Sequence, residues 1–90
     1  MNQQRIINFA GNVQGVGFRY TVCRISGGYD VTGYVRNMPD RSVQCIAEGD
    51  KLEIDRFIAE ITEAMGYFIN KVTQQTAPWS GQFTVFTVKY

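Results

Sequence analysis

The sequence predicts an α+β sandwich in which two helices pack on one face of a mainly antiparallel sheet. Two amphipathic segments with helical periodicity alternate with strand-like runs, in which every second residue is apolar. The order along the chain is β-α-β-β-α-β, followed by an added C-terminal strand. The 90 residues contain no linker, repeat or low-complexity tract, so we expect one domain over residues 1–90.

The first strand and the first helix are separated by a glycine-rich segment. The strand is predicted over residues 4–10, where Ile7 and Phe9 share one face. The helix is predicted over residues 18–26, because apolar residues recur there at helical spacing, and Gly27-Gly28 ends it. This part of the chain therefore supplies one strand and one helix to the sandwich.

A hairpin and the second helix follow. Two strands are predicted over residues 31–37 and 42–48, joined by a short turn. The segment Asp50-Lys51-Leu52-Glu53 has the pattern of a capping box, and Gly66 closes the helix that it opens. One apolar stripe along this helix consists of Ile54, Phe57, Ile58, Ile61 and Met65.

The last quarter of the chain contains two more strands. They are predicted over residues 69–76 and 83–90, on either side of a loop that contains Pro78-Trp79-Ser80-Gly81. With both helices on one face, the opposite face of the sheet is expected to meet solvent. The polar residues assigned to that open face are Asn8, Thr32 and Arg36.

Composition and charge exclude several classes of protein. The net charge is +1, which argues against a nucleic-acid partner held by bulk electrostatics. The mean hydropathy is −0.18, and no apolar run approaches the roughly 18 residues of a membrane-spanning helix. The segment Met1-Asn2-Gln3-Gln4-Arg5 has no signal-peptide core, so we expect a cytoplasmic protein with no membrane partner.

The reactive residue types narrow the chemistry further. There is no histidine, which excludes Ser-His-Asp, Cys-His and histidine–metal sites. Cys23 and Cys45 match no zinc spacing and are expected to be buried, reduced thiols. The acidic residues have no metal-loop spacing, and no nucleotide-triphosphate loop is present. We therefore expect neither a metal nor a cofactor.

The glycine-rich segment is the strongest functional signal in the chain. Residues 11–19 read Gly-Asn-Val-Gln-Gly-Val-Gly-Phe-Arg and lie between the first strand and the first helix. Glycines allow backbone conformations that turn successive N–H groups toward one point, and a helix N-terminus adds further donors. Arg19 closes the segment with a guanidinium that matches phosphate oxygens. Alone, this pattern is equally compatible with a plain surface turn.

A second segment makes the pattern specific. Residues 33–37 read Gly-Tyr-Val-Arg-Asn, and Pro39-Asp40 follows as a turn. Together, the segments 11–19 and 33–37 resemble the acylphosphatase family, as does the end of the chain, Phe86-Thr87-Val88-Lys89-Tyr90. The resemblance implies a ferredoxin-like sandwich and a hydrolase acting on acid anhydrides. The expected reaction converts an acyl phosphate to a carboxylate and inorganic phosphate without metal or cofactor.

The resemblance also implies which residues form the active site. Arg19 is expected to bind the phosphoryl group and Asn37 to orient the attacking water, whose proton leaves to the substrate's own phosphate oxygen. The substrate and inorganic phosphate are the only expected partners, and we expect a monomer. The residues expected to form the phosphate-binding loop are Asn12, Val13, Gln14, Gly15, Val16, Gly17, Phe18 and Arg19.

Several of these residues also have a purely structural interpretation. Asn37 could simply begin the turn before Pro39, and Gln14 is expected to brace the loop with its side chain. Ser42 could orient Asn37 or serve only as a strand-edge residue. Arg41 stands where the family usually has glycine, and a positive φ there would store about 1–2 kcal/mol. The aromatic residues expected to serve in packing or at the rim are Tyr29, Tyr34 and Trp79.

Two alternative functions remain open from the sequence. RNA-recognition motifs share the sandwich topology, and Gly17-Phe18-Arg19-Tyr20 resembles their aromatic signature, although that signature belongs on a central strand. A non-catalytic anion-binding or regulatory module would keep the phosphate-binding loop without turnover. Release of phosphate from an acyl phosphate distinguishes both alternatives from an enzyme.

Overall fold

A computed structural model describes residues 1–90 and shows five strands and two helices. The elements are β1 (Asn2–Gly11), α1 (Phe18–Ser26), β2 (Val31–Asn37), β3 (Val43–Asp50), α2 (Lys51–Met65), a 3₁₀ turn (Gly66–Phe68), β4 (Ile69–Pro78) and β5 (Phe86–Lys89). The strands form one sheet in the order β4-β1-β3-β2-β5. This arrangement confirms the predicted ferredoxin-like sandwich with one added strand.

The sheet is antiparallel except at one edge. The strand β1 pairs with both β3 and β4, and β3 pairs with β2, all in antiparallel register. Only β5 is parallel to its neighbour, with Gly33 opposite Phe86 and Arg36 opposite Lys89. The chain therefore places β4 and β5, which follow one another in sequence, at opposite edges of the sheet.

The hydrophobic core lies between the sheet and the helices. Ile7 and Phe9 of β1 have no solvent exposure, and the apolar stripe of α2 covers the same face of the sheet. Burying a side chain of this size stabilises the fold by about 1.5–3 kcal/mol. The rings of Phe9 and Phe18 lie 5.1 Å apart, which fixes the start of α1 against β1. No helix of the chain has the length and apolar character needed to cross a bilayer.

The structure differs from the prediction at several element ends. The strand β5 begins at Phe86, three residues later than expected, and β4 extends to Pro78. Only half of the predicted capping box forms: the Asp50 side chain accepts a hydrogen bond from the Leu52 N–H at 3.0 Å. Glu53 instead accepts from the Asp30 N–H at 3.0 Å.

The open face of the sheet is partly covered, contrary to the expectation that it meets solvent. Residues 79–85, the crossing segment, connect the two edge strands across this face. Glu48 of the central strand β3 is 1% exposed and accepts hydrogen bonds from the Ser80 N–H at 2.9 Å and the Gly81 N–H at 3.0 Å. The Ser80 hydroxyl and the Gln4 side chain also donate to this carboxylate, both at 2.7 Å.

Glu48 stays ionised beneath the crossing segment. Burial acts to raise the pKa of its carboxyl group, but the hydrogen bonds from Ser80, Gln4 and Gly81 outweigh burial and lower the pKa below its ordinary value. A carboxylate whose pKa is lowered on folding stabilises the protein at neutral pH. That contribution is lost as the pH falls through the lowered pKa.

Candidate active site

A cavity of about 410 Å³ lies where α1 begins, beside the end of β2. It brings together Arg19 and Asn37, the two residues expected to carry the chemistry. The lining residues are Val13, Gly15, Gly17, Phe18, Arg19, Tyr20, Cys23, Arg24, Asn37, Val88 and Tyr90. None of them is a carboxylate, so the cavity can offer hydrogen-bond donors and positive charge to an anion.

The loop before α1 depends on two glycines for its backbone conformation. Gly15 and Gly17 have φ values of 79° and 75°, in the left-handed region. A Cβ atom at either position would meet no other atom within 4 Å, so the requirement concerns the backbone and not the available space. This conformation turns the loop into the N-terminus of α1, with Gly17 as the capping residue.

The N-terminus of α1 has free hydrogen-bond donors. No side chain caps this end of the helix, and the first turn contains no acidic residue. The first hydrogen bond of the helix runs from the Thr21 N–H to the Gly17 carbonyl at 3.0 Å. The N–H groups of Phe18, Arg19 and Tyr20 therefore have no acceptor within the helix, and this end can donate hydrogen bonds to an anion.

The guanidinium of Arg19 is held by an aromatic ring and not by a carboxylate. Its Cζ lies 4.9 Å from the centroid of the Tyr90 ring. A contact of this kind contributes about 0.5–1 kcal/mol at an exposed site. None of the four ion pairs of the protein involves Arg19, so its N–H groups remain free to bind oxygen atoms. Arg19 is thus oriented without the loss of its donors.

Asn37 is the last residue of β2, and the turn that follows it is tied to the glycine-rich loop. The turn closes through a hydrogen bond from the Met38 N–H to the Ser42 carbonyl at 2.8 Å. The Gln14 side chain donates to both the Met38 carbonyl at 3.0 Å and the Ser42 carbonyl at 2.9 Å. These contacts support the bracing role expected for Gln14, and they fix the position of Asn37 relative to the loop.

Ser42 stabilises the same turn. Its hydroxyl donates to Asp40 at 2.6 Å, and its N–H donates to the same carboxylate oxygen at 3.0 Å. These two hydrogen bonds lower the pKa of Asp40. The Ser42 hydroxyl is engaged with Asp40, so the structure favours the structural interpretation of Ser42 over an orienting contact with Asn37.

Arg41 has a φ of 76°, the left-handed conformation anticipated for this position. Arg41→Gly is expected to stabilise the protein by about 0.5–1 kcal/mol, because relief of about 1–2 kcal/mol of strain exceeds the entropy cost of glycine. Urea unfolding measures the gain. Arg41→Ala is the control: it removes the guanidinium but keeps the strain, so an equal gain in that variant would contradict the explanation.

The structure places most, but not all, of the predicted phosphate-binding residues at the cavity. Asn12, Gln14 and Val16 do not line it, whereas the others do. The sequence analysis missed Tyr20, Cys23, Arg24, Val88 and Tyr90. Helical spacing from Arg19 and Tyr20 could have identified Cys23 and Arg24, which lie four residues further along α1. Val88 and Tyr90 reach the cavity only through the pairing of β5 with β2.

The two thiols lie in different environments. Cys45 is fully buried, and burial raises the pKa of its thiol. Cys23 is only half-buried and lines the cavity, so the expectation of two buried thiols was wrong for this residue. Cys23 lies four residues after Arg19 on the same face of α1, and this placement explains its partial exposure. Both thiols are free.

Tyr29 and Tyr34, two of the three aromatic residues expected to serve in packing or at the rim, pack on other aromatic rings. The Tyr29 ring lies 6.0 Å from that of Phe57, and its hydroxyl donates to Glu60 at 2.6 Å. The Tyr34 ring lies 5.8 Å from that of Phe83 in the crossing segment. Neither tyrosine lines the cavity, and neither does Trp79.

Comparisons with known proteins identify the family of the chain. The family model described as acylphosphatase matches residues 5–88. The chain is 39% identical over 82 residues to an acylphosphatase of Lactobacillus johnsonii, covering 89% of this chain and 90% of that protein. The crystal structure of acylphosphatase from Bacillus subtilis superposes with a TM-score of 0.86 at 28% identity, with both chains fully covered. Full-length HypF in the phosphate- and nucleotide-bound form matches with a TM-score of 0.90 at 30% identity, across all of this chain and 12% of HypF. The chain belongs to the acylphosphatase family.

Proposed function

We propose that the protein hydrolyses the carboxyl-phosphate bond of acyl phosphates in the cavity formed by the glycine-rich loop, Arg19 and Asn37. The family makes the protein an acylphosphatase, a hydrolase of acid anhydrides. The observation that carries the proposal for the site is the meeting of Arg19, Asn37 and the uncapped N-terminus of α1 around one cavity. Such a site supplies donors and charge, which are the main requirements for transfer of an activated phosphoryl group.

Phosphate binding is assigned to α1 and to the loop before it. The free N–H groups at the start of the helix donate to the phosphoryl oxygens, and Arg19 donates through two parallel N–H groups. As the bond to the acyl oxygen breaks, charge builds on both the phosphoryl and the leaving oxygens. The same donors bind this charge more strongly than they bind the ground state, which lowers the barrier.

Hydrolysis requires a positioned water and an acceptor for its proton. Asn37 is assigned the first task, since it lines the cavity and the contacts of Gln14 hold the turn after it against the glycine-rich loop. The water oxygen forms a bond to phosphorus as the bond to the acyl oxygen breaks, and the carboxylate leaves. An amide is too weak a base to take the proton, which passes to a phosphate oxygen of the substrate.

The nucleic-acid-binding alternative loses the feature that suggested it. Phe18 is 2% exposed and packs against Phe9, so its ring is not available to stack on a base. We also propose that the protein is a single-domain monomer, lies in the cytoplasm and has no nucleic-acid partner. Metal independence is also part of it, supported by the lining residues, which include no carboxylate and no histidine.

Release of phosphate from benzoyl phosphate tests the proposed function. Hydrolysis is expected to continue undiminished in excess chelator, and inorganic phosphate is expected to inhibit competitively because it occupies the same donors. Phosphate binding without turnover would instead identify a non-catalytic anion-binding module. Activity restored only by a divalent cation would overturn the metal-independent mechanism.

A further inference from the structure

The cavity is larger than a phosphoryl group requires. Four oxygen atoms, each with the roughly 30 Å³ that a water molecule occupies in the liquid, fill about 120 Å³. The cavity holds about 410 Å³, so most of it is left for the remainder of the substrate. With the phosphoryl group at the start of α1, the part of the cavity lined by Tyr20, Arg24 and Tyr90 is left for the acyl group.

Two tyrosines and one arginine form this outer part of the cavity. Tyr20 and Arg24 are four residues apart on α1, so their side chains project from the same face of the helix. Tyr90 follows β5 and closes the opposite side. The Tyr20 and Tyr90 side chains are 71% and 99% exposed, which leaves both rings accessible to a ligand. The name acyl subsite is used below for Tyr20, Arg24 and Tyr90.

Arg24 is exposed and has no carboxylate partner. The four ion pairs of the protein are Met1–Asp50, Arg5–Asp55, Lys51–Asp55 and Arg56–Glu53, and none of them involves a residue of the cavity. Arg24 follows Arg19 by five residues, a rise of about 7.5 Å along the helix axis. Both arginines line the same cavity, so a substrate lying in it can meet Arg19 at one end and Arg24 at the other.

We propose that the acyl subsite selects acyl phosphates whose acyl group carries a second anion. Arg24 binds that anion, and the rings of Tyr20 and Tyr90 flank the apolar part of the acyl group. The inference rests on the proposed function, because it requires the phosphoryl group to lie at Arg19. It adds a substrate class and a specificity-determining residue to that function.

Arg24 also lies in the last turn of α1, where a cation interacts favourably with the helix dipole. That interaction stabilises the helix but does not distinguish one substrate from another. A general attraction of anions to the cavity likewise favours every acyl phosphate, since all of them carry the phosphoryl charge. Only direct binding of a second anion changes the ratio between two substrates that differ in that group alone.

The test compares benzoyl phosphate with para-carboxybenzoyl phosphate, two rigid substrates that differ by one carboxylate. Wild type is expected to prefer the carboxylated substrate. Arg24→Gln is expected to lower the ratio of kcat/KM for the carboxylated substrate to kcat/KM for benzoyl phosphate about tenfold. Arg24→Lys is expected to keep part of the preference. Arg56→Gln, which removes an exposed cation of α2 outside the cavity, serves as the matched control.

Each outcome of this comparison has one meaning. An equal fall in kcat/KM for both substrates in Arg24→Gln would show a general electrostatic effect and overturn the acyl subsite. An unchanged ratio between the substrates would also overturn it. Hydrolysis of benzoyl phosphate by wild type tests the proposed function separately, so a failure there is distinguished from a failure of the subsite. Thermal unfolding of Arg24→Gln shows separately whether the substitution destabilises the protein.

Discussion

Arg19→Lys is expected to lower kcat/KM for benzoyl phosphate by about 10²–10³, or roughly 2.7–4 kcal/mol of transition-state stabilisation. Lysine keeps the positive charge but cannot donate two parallel hydrogen bonds to the phosphoryl oxygens. It also presents no planar group to the ring of Tyr90, which lies 4.9 Å from Cζ of Arg19. Inhibition by inorganic phosphate is expected to weaken as well, since the same donors bind the ground state.

The control for this variant is Arg56→Lys, the same substitution at an exposed position of α2. It is expected to leave both kcat/KM and phosphate inhibition unchanged. Thermal unfolding of Arg19→Lys is expected to resemble wild type, because Arg19 makes no ion pair and is not part of the hydrophobic core. Near-normal turnover in a folded Arg19→Lys protein would mean that the phosphoryl group binds elsewhere.

Asn37→Ala is expected to reduce kcat by about 10²–10³, the loss typical of removing one well-placed polar group from a transition state. The inhibition constant of inorganic phosphate is expected to stay within twofold of wild type. The reason is that Asn37 is assigned to the water, whereas the loop and Arg19 bind the phosphoryl group. A contact made only in the transition state changes kcat without an equal change in ground-state binding.

Asn8→Ala is the matched control, since Asn8 lies on the open face of the sheet and outside the cavity. It is expected to leave kcat unchanged. The turn after Asn37 is held by Gln14 through backbone carbonyls, so Asn37→Ala is expected to keep the turn in place. If phosphate inhibition weakens as much as kcat falls, Asn37 belongs to the phosphate-binding group and the water has another partner.

The parts of the protein that could be predicted from its sequence are those specified by neighbouring residues. The bounds of α1 and β2 are those expected, because apolar residues recur regularly along each segment and a turn signal follows it. The glycine-rich loop and Arg19 are contiguous in sequence, so their meeting at one cavity was also predictable. The prediction that Asn37 joins the same cavity came from the family resemblance of residues 33–37.

The features that could not be predicted depend on contacts between distant parts of the chain. Glu48 is paired with Thr32 on the sheet face that was expected to meet solvent, yet Ser80 and Gly81 cover it from 32 and 33 residues away. No local pattern indicates that the crossing segment passes over that strand. The contribution of Tyr90 to the cavity has the same origin, since it depends on which edge of the sheet β5 joins.

The contacts of Glu48 make the wall of the active site dependent on a residue on the other side of the sheet. Val88 and Tyr90 line the cavity only after the chain has crossed from β4 to the opposite edge, and Glu48 holds that path through two backbone N–H groups. Those two donors belong to the backbone, so they do not depend on the Ser80 hydroxyl, which also donates to Glu48. The carboxylate at position 48 has no such substitute, and its replacement is expected to shift the cavity wall without any direct contact with the substrate.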